Sequence, residues 1–173
     1  MDTSLTLCLA QPADLAAVDA LLARSYPRLL RADYPPSIMV TLVPQIARAR
    51  PELLASGRYY VVKDGAGRVL GAGGYSLGAP TPRGQLPGAQ HGTVGHIRHV
   101  ATDPDATRRG IGRGLMQAVF AAAAAEGVRW LDCLSTRTAV PFYAAVGFGV
   151  VGPVDVPITP GLAFPAVRML RQM

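Results

Sequence analysis

Residues 107–115, TRRGIGRGL, place three arginines and three glycines in nine positions and run directly into an alanine-rich segment. Glycine costs about 1 kcal/mol relative to alanine inside a helix, so Gly110, Gly112 and Gly114 at the mouth of a good helix former require a physical reason. Either the backbone turns sharply there or another group comes very close to it. The preceding TVGHIRHVAT reads as a strand. A strand that feeds a glycine turn and a helix N-terminus builds an anion site, because the first helical amides lack intrahelical acceptors and the helix dipole adds partial positive charge. Two common phosphate-binding patterns fail on the letters. No Lys-Ser/Thr pair closes the run, and the glycines are spaced G-x-G-x-G rather than G-x-G-x-x-G.

Composition narrows the setting of this turn. Of the 173 residues half are apolar and 16% charged, enough for one domain with a real core, and we expect a single domain over residues 1–173. No run of eighteen uncharged apolar residues occurs, and the first residues carry an acid at position 2 without a basic stretch. A cytoplasmic location with no membrane partner is therefore expected. Cys8 and Cys133 lie in separate apolar runs and are expected as free thiols rather than a disulfide. Without a CxxC or a histidine pair at ligand spacing, no metal is expected. The net charge of +6 comes from sixteen arginines and Lys63. Scattered members such as Arg24, Arg48 and Arg168 read as solvated surface, so no nucleic-acid partner is expected; only Arg108, Arg109 and Arg113 cluster, and they cluster on the glycines.

The remaining punctuation suggests alternating elements. LTLCLA reads as a strand and PADLAAVDALLARSY as a helix with Pro12 and Asp14 in its first turn, followed by a weaker helical stretch over residues 38–50. GRYYVVKD and RVLGAGGYSL, separated by Gly65-Ala66-Gly67, read as an antiparallel hairpin. Residues 78–92 form a glycine- and proline-rich loop, either a ligand-shaping segment or a tolerated insertion. After the glycine turn and its helix come a strand VRWLDCLS, a helix TAVPFYAAVG, and two strand-like runs. This order predicts an α/β (α+β) fold with a mixed, mostly antiparallel sheet flanked by helices and one strand-helix-strand crossover.

RGIGRG at residues 109–114 matches the R/Q-x-x-G-x-G/A signature of the GNAT superfamily, the GCN5-related N-acetyltransferases. STRTAVPFYAAVGF is similar to the later family helix that ends in F-Y-x-x-x-G-F. The resemblance spans residues 94–148. It implies acetyl-coenzyme A as co-substrate, with its pyrophosphate on the loop of Arg108, Arg109, Gly110, Ile111, Gly112, Arg113 and Gly114. It also implies that the pantetheine arm pairs with Val100, Ala101 and Thr102, with Ser135 and Phe142 nearby, and that Tyr143 lies near the sulfur as proton donor. The acceptor it implies is a small-molecule amine or a peptide. An acyl-coenzyme A sensor without turnover is the alternative, and a homodimer is left open.

Two further features lie on the strand before the loop, the first readable without the family and the second by comparison with it. Ile97 and Val100 fall on opposite phases of a period-two pattern, and a β-bulge between them would restore it, splaying the strand from its neighbour. Where many relatives carry a glutamate base, this strand offers His96, Arg98 and His99. His96 is the preferred general base, with His99 or a water relay as alternatives.

Overall fold

The chain enters its first helix through a reciprocal cap. After the edge strand β1 (Thr6–Leu9), the Gln11 amide donates to Asp14 Oδ2 at 2.9 Å and α1 (Leu15–Leu30) begins. Val18, Leu21, Leu22 and Ser25 recur at helical spacing and are buried, so α1 docks by this stripe. The computed structural model describes residues 4–77 and 94–173. The single helix expected over residues 38–50 is instead divided into two short ones, α2 (Pro36–Thr41) and α3 (Val43–Ile46), and a third, α4 (Pro51–Leu54), follows. Pro44 has no amide with which to continue α2, and a proline is tolerated only in the first turn of a helix, so the helix restarts around Pro44 and again at Pro51.

The predicted hairpin is present as β2 (Tyr59–Lys63) and β3 (Val69–Leu77), closed by the Asp64 carboxylate, which accepts the Ala66 and Arg68 amides at 3.0 and 2.9 Å. The expected loop over residues 78–92 lies outside the described residues. Beyond it come β4 (Val94–Thr102), α5 (Ile111–Ala125), β5 (Trp130–Ser135), α6 (Val140–Ala145), β6 (Gly149–Thr159) and β7 (Leu162–Gln172). These strands form one mixed sheet in the order β1-β2-β3-β4-β5-β7-β6, antiparallel except for β4 and β5, which α5 connects in parallel. The α/β fold class predicted from the element order is the one observed.

Each face of the sheet has its own core. On one, Val18, Leu21 and Leu22 of α1 pack on Tyr59, Val61, Ala72 and Ala101. On the other, Met116, Val119 and Ala123 of α5 and Tyr143 of α6 pack on Tyr75, Leu131, Cys133 and Met169. Cys8 and Cys133 are free thiols, one on each side. No helix among the described residues is long and apolar enough to cross a membrane.

Backbone closeness at Gly74 holds β2 against β3. A methyl group there would collide with the Arg58 carbonyl and come within 2.7 Å of Tyr59 Cα. Gly74→Ala is therefore expected to lower the free energy of unfolding by about 1–3 kcal/mol, the range for overpacking. A urea melt with an unchanged midpoint would contradict this packing.

Candidate active site

The parallel ladder between β4 and β5 is short. Val94, Gly95 and His96 pair with Trp130, Leu131 and Asp132, and no pairing continues beyond them. The cause lies on the other side of β4. Gly74 opposes Arg98 and Ala72 opposes Ala101, so Gly73 alone faces both His99 and Val100. This is the bulge anticipated between Ile97 and Val100, and it brings both of those side chains into the α5/α6 core. His99 adopts φ 45°, a left-handed conformation costly for a non-glycine residue, and Tyr59 braces it by donating its hydroxyl to the His99 carbonyl at 2.9 Å.

Where the strands part, a cavity of about 780 Å³ passes between Tyr26 of α1, Ile97 and Val100 of β4, Cys133 of β5 and the Phe142-Tyr143 pair of α6. Its walls include Val100, Ala101, Thr102, Arg108, Gly110, Ile111, Gly112, Arg113, Ser135, Phe142 and Tyr143 of the predicted coenzyme residues. Arg109, Gly114 and His96 are not among its walls. Two predicted contacts already have intramolecular bonds: the Thr102 carbonyl accepts from Ser25 Oγ at 2.9 Å, and Ser135 Oγ donates to the Thr136 carbonyl at 2.7 Å.

One end of the cavity meets the start of α5. Arg108 and Gly110 are both left-handed, with φ 62° and 78°, which turns the chain sharply into the helix. The first intrahelical bond runs from the Gly114 amide to the Gly110 carbonyl at 2.9 Å, so the amides of Ile111, Gly112 and Arg113 precede it. A Cβ on Gly112 would lie 3.0 Å from the Phe142 ring, so glycine keeps both the ring and an incoming group close to the backbone. Arg108, Arg109 and Arg113 are exposed and make no ion pair among the described residues.

Tyr143 also lines the cavity, edge-on to Phe142 and Phe148 at centroid distances of 5.1 and 5.4 Å. Burial, and then its neighbours Cys133 and Tyr26, raise its phenol well above the ordinary value, so it keeps its proton at neutral pH. Burial likewise pushes the Cys133 thiol up to about 12 and the Tyr26 phenol to a still higher value, leaving both neutral. Tyr26 and Cys133 were not singled out from the sequence. Tyr26 read as one residue of a helical stripe and Cys133 as a buried thiol.

The two histidines differ in environment. His96 is 7% exposed; its Nδ1 stands 3.5 Å from Asp132 Oδ2, and its Nε2 has no partner among the described residues. Asp132 is itself buried and accepts from Arg168 Nε at 3.0 Å and Nη2 at 3.3 Å. Burial alone would raise that carboxyl, but His96 and Arg168 hold it below the usual carboxylate range. Arg168, read from the sequence as solvated surface, is thus a correction: its side chain is 14% exposed and committed to Asp132. Arg24 reaches the buried Asp103 at 3.0 Å, so it too is more than a solvated charge. The signal for Asp132 was available in the sequence, since an acid in the middle of the apolar strand WLDCLS demands a buried partner. His99 lines the cavity, and burial, followed by the charges of Arg50 and Arg98, lowers its imidazole to about 4.

Residues 18–148 match the acetyltransferase (GNAT) family, a span that begins well before the motifs visible from residue 94 onward. A search of curated proteins finds no match. Among solved structures, a GCN5-related N-acetyltransferase from Rhodopseudomonas palustris is similar over 100% of this chain and 97% of its own, with 21% identity and a TM-score of 0.73. The PaiA N-acetyltransferase from Thermoplasma acidophilum, solved in complex with coenzyme A, is similar over 98% and 99% respectively, with 14% identity and a TM-score of 0.71. A GCN5-related N-acetyltransferase from Kribbella flavida follows at 21% identity, 98% coverage of both chains and a TM-score of 0.62. Likeness at these identities shows a shared fold.

The depressed His99 ring has a consequence for stability. Because its folded value of about 4 lies below the unfolded value near 6.5, the unfolded chain binds more protons between them, and stability falls as pH drops through that window. His99→Gln is expected to flatten the dependence of unfolding free energy on pH between about 6.5 and 4. An equally steep dependence in the variant, or a His99 ring titrating by NMR near 6.5, would refute the assignment.

Proposed function

Because the chain belongs to the acetyltransferase (GNAT) family, we propose that it is an N-acetyltransferase moving the acetyl group of acetyl-coenzyme A to a primary amine by direct attack in a ternary complex. A small-molecule amine is favoured over a protein N-terminus as the acceptor. The parting of β4 from β5 beside the N-terminus of α5 carries this reading. A long thioester with a pyrophosphate at one end needs an anion cradle, a slot with unpaired strand edges, and a proton donor at the far end, in that order. Here the cradle is the amides of Ile111, Gly112 and Arg113 with the guanidinia of Arg108 and Arg113 at the rim. Val100, Ala101 and Thr102 offer the strand edge, and Ser135 and Phe142 flank it.

Each catalytic role then falls to a residue of this chain. His96 accepts a proton at Nε2 from the attacking amine, directly or through one water, as the C–N bond forms. Asp132 stabilises the resulting imidazolium, and Arg168 keeps Asp132 ionised and in place. As the C–S bond breaks, Tyr143 donates its proton to the sulfur and regains one from solvent. A second reading, an acyl-coenzyme A sensor, draws support from the lack of a carboxylate on β4 and from the position of His96 outside the cavity wall. Coenzyme A release over a panel of amines separates the two: binding without turnover on any amine would favour the sensor.

Gly112→Asp should abolish acetyl-coenzyme A binding in calorimetry while the protein stays folded, because the new carboxylate repels the pyrophosphate. Unchanged affinity would end the loop assignment. Tyr143→Phe should leave binding nearly intact and lower kcat by about 10²–10⁴-fold, and His96→Gln should lower kcat/KM and remove an acidic-limb ionisation from its pH profile. An effect of His99→Gln in place of His96→Gln would move the base to the cavity wall. An acidic limb unchanged in both variants would withdraw histidine catalysis.

A further inference from the structure

Arg98 is a cation in want of an anion. It lies on β4 two residues after His96 on the same face of the strand, and its Nε donates to Ser76 Oγ on β3 at 2.8 Å. That single bond fixes the stem and leaves the terminal nitrogens of the guanidinium without a partner among the described residues. No carboxylate there lies within ion-pair distance. Residues 78–93, outside the described residues, contain no Asp or Glu. Asp132, the nearest acid on this face, is engaged by Arg168.

The position is as informative as the lack of a partner. His96 is the last residue of β4 that pairs with β5, so Arg98 is the first on that face beyond the ladder; its Nε bond holds it toward β3, and it stands outside the cavity wall, as His96 does. Its cross-strand neighbour on β3 is Gly74, which covers nothing. Arg98 keeps solvent access, yet burial and the like charge of Arg50 hold its pKa below the ordinary value. Arg50 and Arg98 also act together on His99, which lines the cavity. A solvent-exposed arginine with a second cation nearby and no carboxylate in ion-pair contact among the described residues, Asp132 acting on it only from beyond that distance, has the electrostatic form of a carboxylate receptor.

Building on the N-acetyltransferase reading, we propose that the acceptor is a small amine bearing a carboxylate close to its nitrogen, the chemistry of a free amino acid, with Arg98 receiving the carboxylate. Residues two apart on a strand are separated by about 6.5–7 Å, which lets one small zwitterion span His96 Nε2 and the guanidinium. Polyamines and aminoglycosides meet repulsion at the same place. A peptide N-terminus has lost the carboxylate nearest its nitrogen to an amide bond.

The test compares free amino acids with their carboxamides, which keep the amine and lose the anion, alongside a polyamine, for wild type, Arg98→Gln and Arg98→Lys. Wild type should prefer the acids to the carboxamides by roughly 10- to 100-fold in kcat/KM. Arg98→Gln should erase that preference by raising KM for the acids, Arg98→Lys should restore part of it, and acetyl-coenzyme A affinity should stay within about twofold. Carboxamides that match the acids in wild type, or an Arg98→Gln loss shared equally by both, would overturn the proposal and leave acetyl transfer standing. Calorimetry of N-acetyl amino acids on the coenzyme A-loaded protein gives a readout free of turnover. Binding lost in Arg98→Gln supports the carboxylate site even if no amine is acetylated, which would overturn the transferase reading alone. No binding of acids by either method overturns the site.

Discussion

Three residue pairs join β4 to β5, and the structure is organised by the end of that ladder after His96 and Asp132. A parallel pair that ran the full length of both strands would seal the sheet and leave α5 and α6 packed on an unbroken surface. The extra residue at His99-Val100 bends β4 instead, and the strands separate. The strain of a left-handed histidine is held by the Tyr59 hydroxyl and by β3, whose glycines allow close backbone approach. From that one irregularity follow the cavity, its access to the start of α5, and the placing of Tyr143 and Cys133 along the same opening.

The electrostatics follow the same division. Where the sheet is closed, buried charge is matched: Asp132 by Arg168 and His96, Asp103 by Arg24 and Arg68. Where it opens, cations stand without anions, Arg108 and Arg113 at the α5 end and Arg98 on the α1 face. All three guanidinia are solvent-exposed and uncommitted to any carboxylate among the described residues. Neutral groups lie between these two regions. Tyr26, Tyr143 and Cys133 are all held protonated by burial, so no fixed charge is contributed there.

Local chemistry was legible in the sequence and long-range pairing was not. Gly110 and Gly112, the phase slip between Ile97 and Val100, the hairpin turn at Gly65-Ala66-Gly67 and the helix start at Pro12 and Asp14 each act within a few residues of chain, so their letters carry their geometry. Residues 38–50 carry apolar residues at helical spacing, but Pro44, a local signal as well, interrupts the helix. Arg168 was misread for another reason. Its partner Asp132 is 36 residues away, and only the register of β5 against β7 brings them together.

By itself, then, the sequence determined a glycine-led helix N-terminus after a bulged strand, and with it the family and the helix N-terminal end of the candidate site, because steric freedom of the backbone and helix polarity are properties of adjacent residues. The tertiary structure alone decided the other end. Which histidine lines the cavity, which is held by an aspartate, which arginine is spent on a buried carboxylate and which is left beside the opening depend on strand order and register. A one-residue change of register would exchange the faces of every side chain on β4, and nothing in the local letters of HIRH distinguishes the two outcomes.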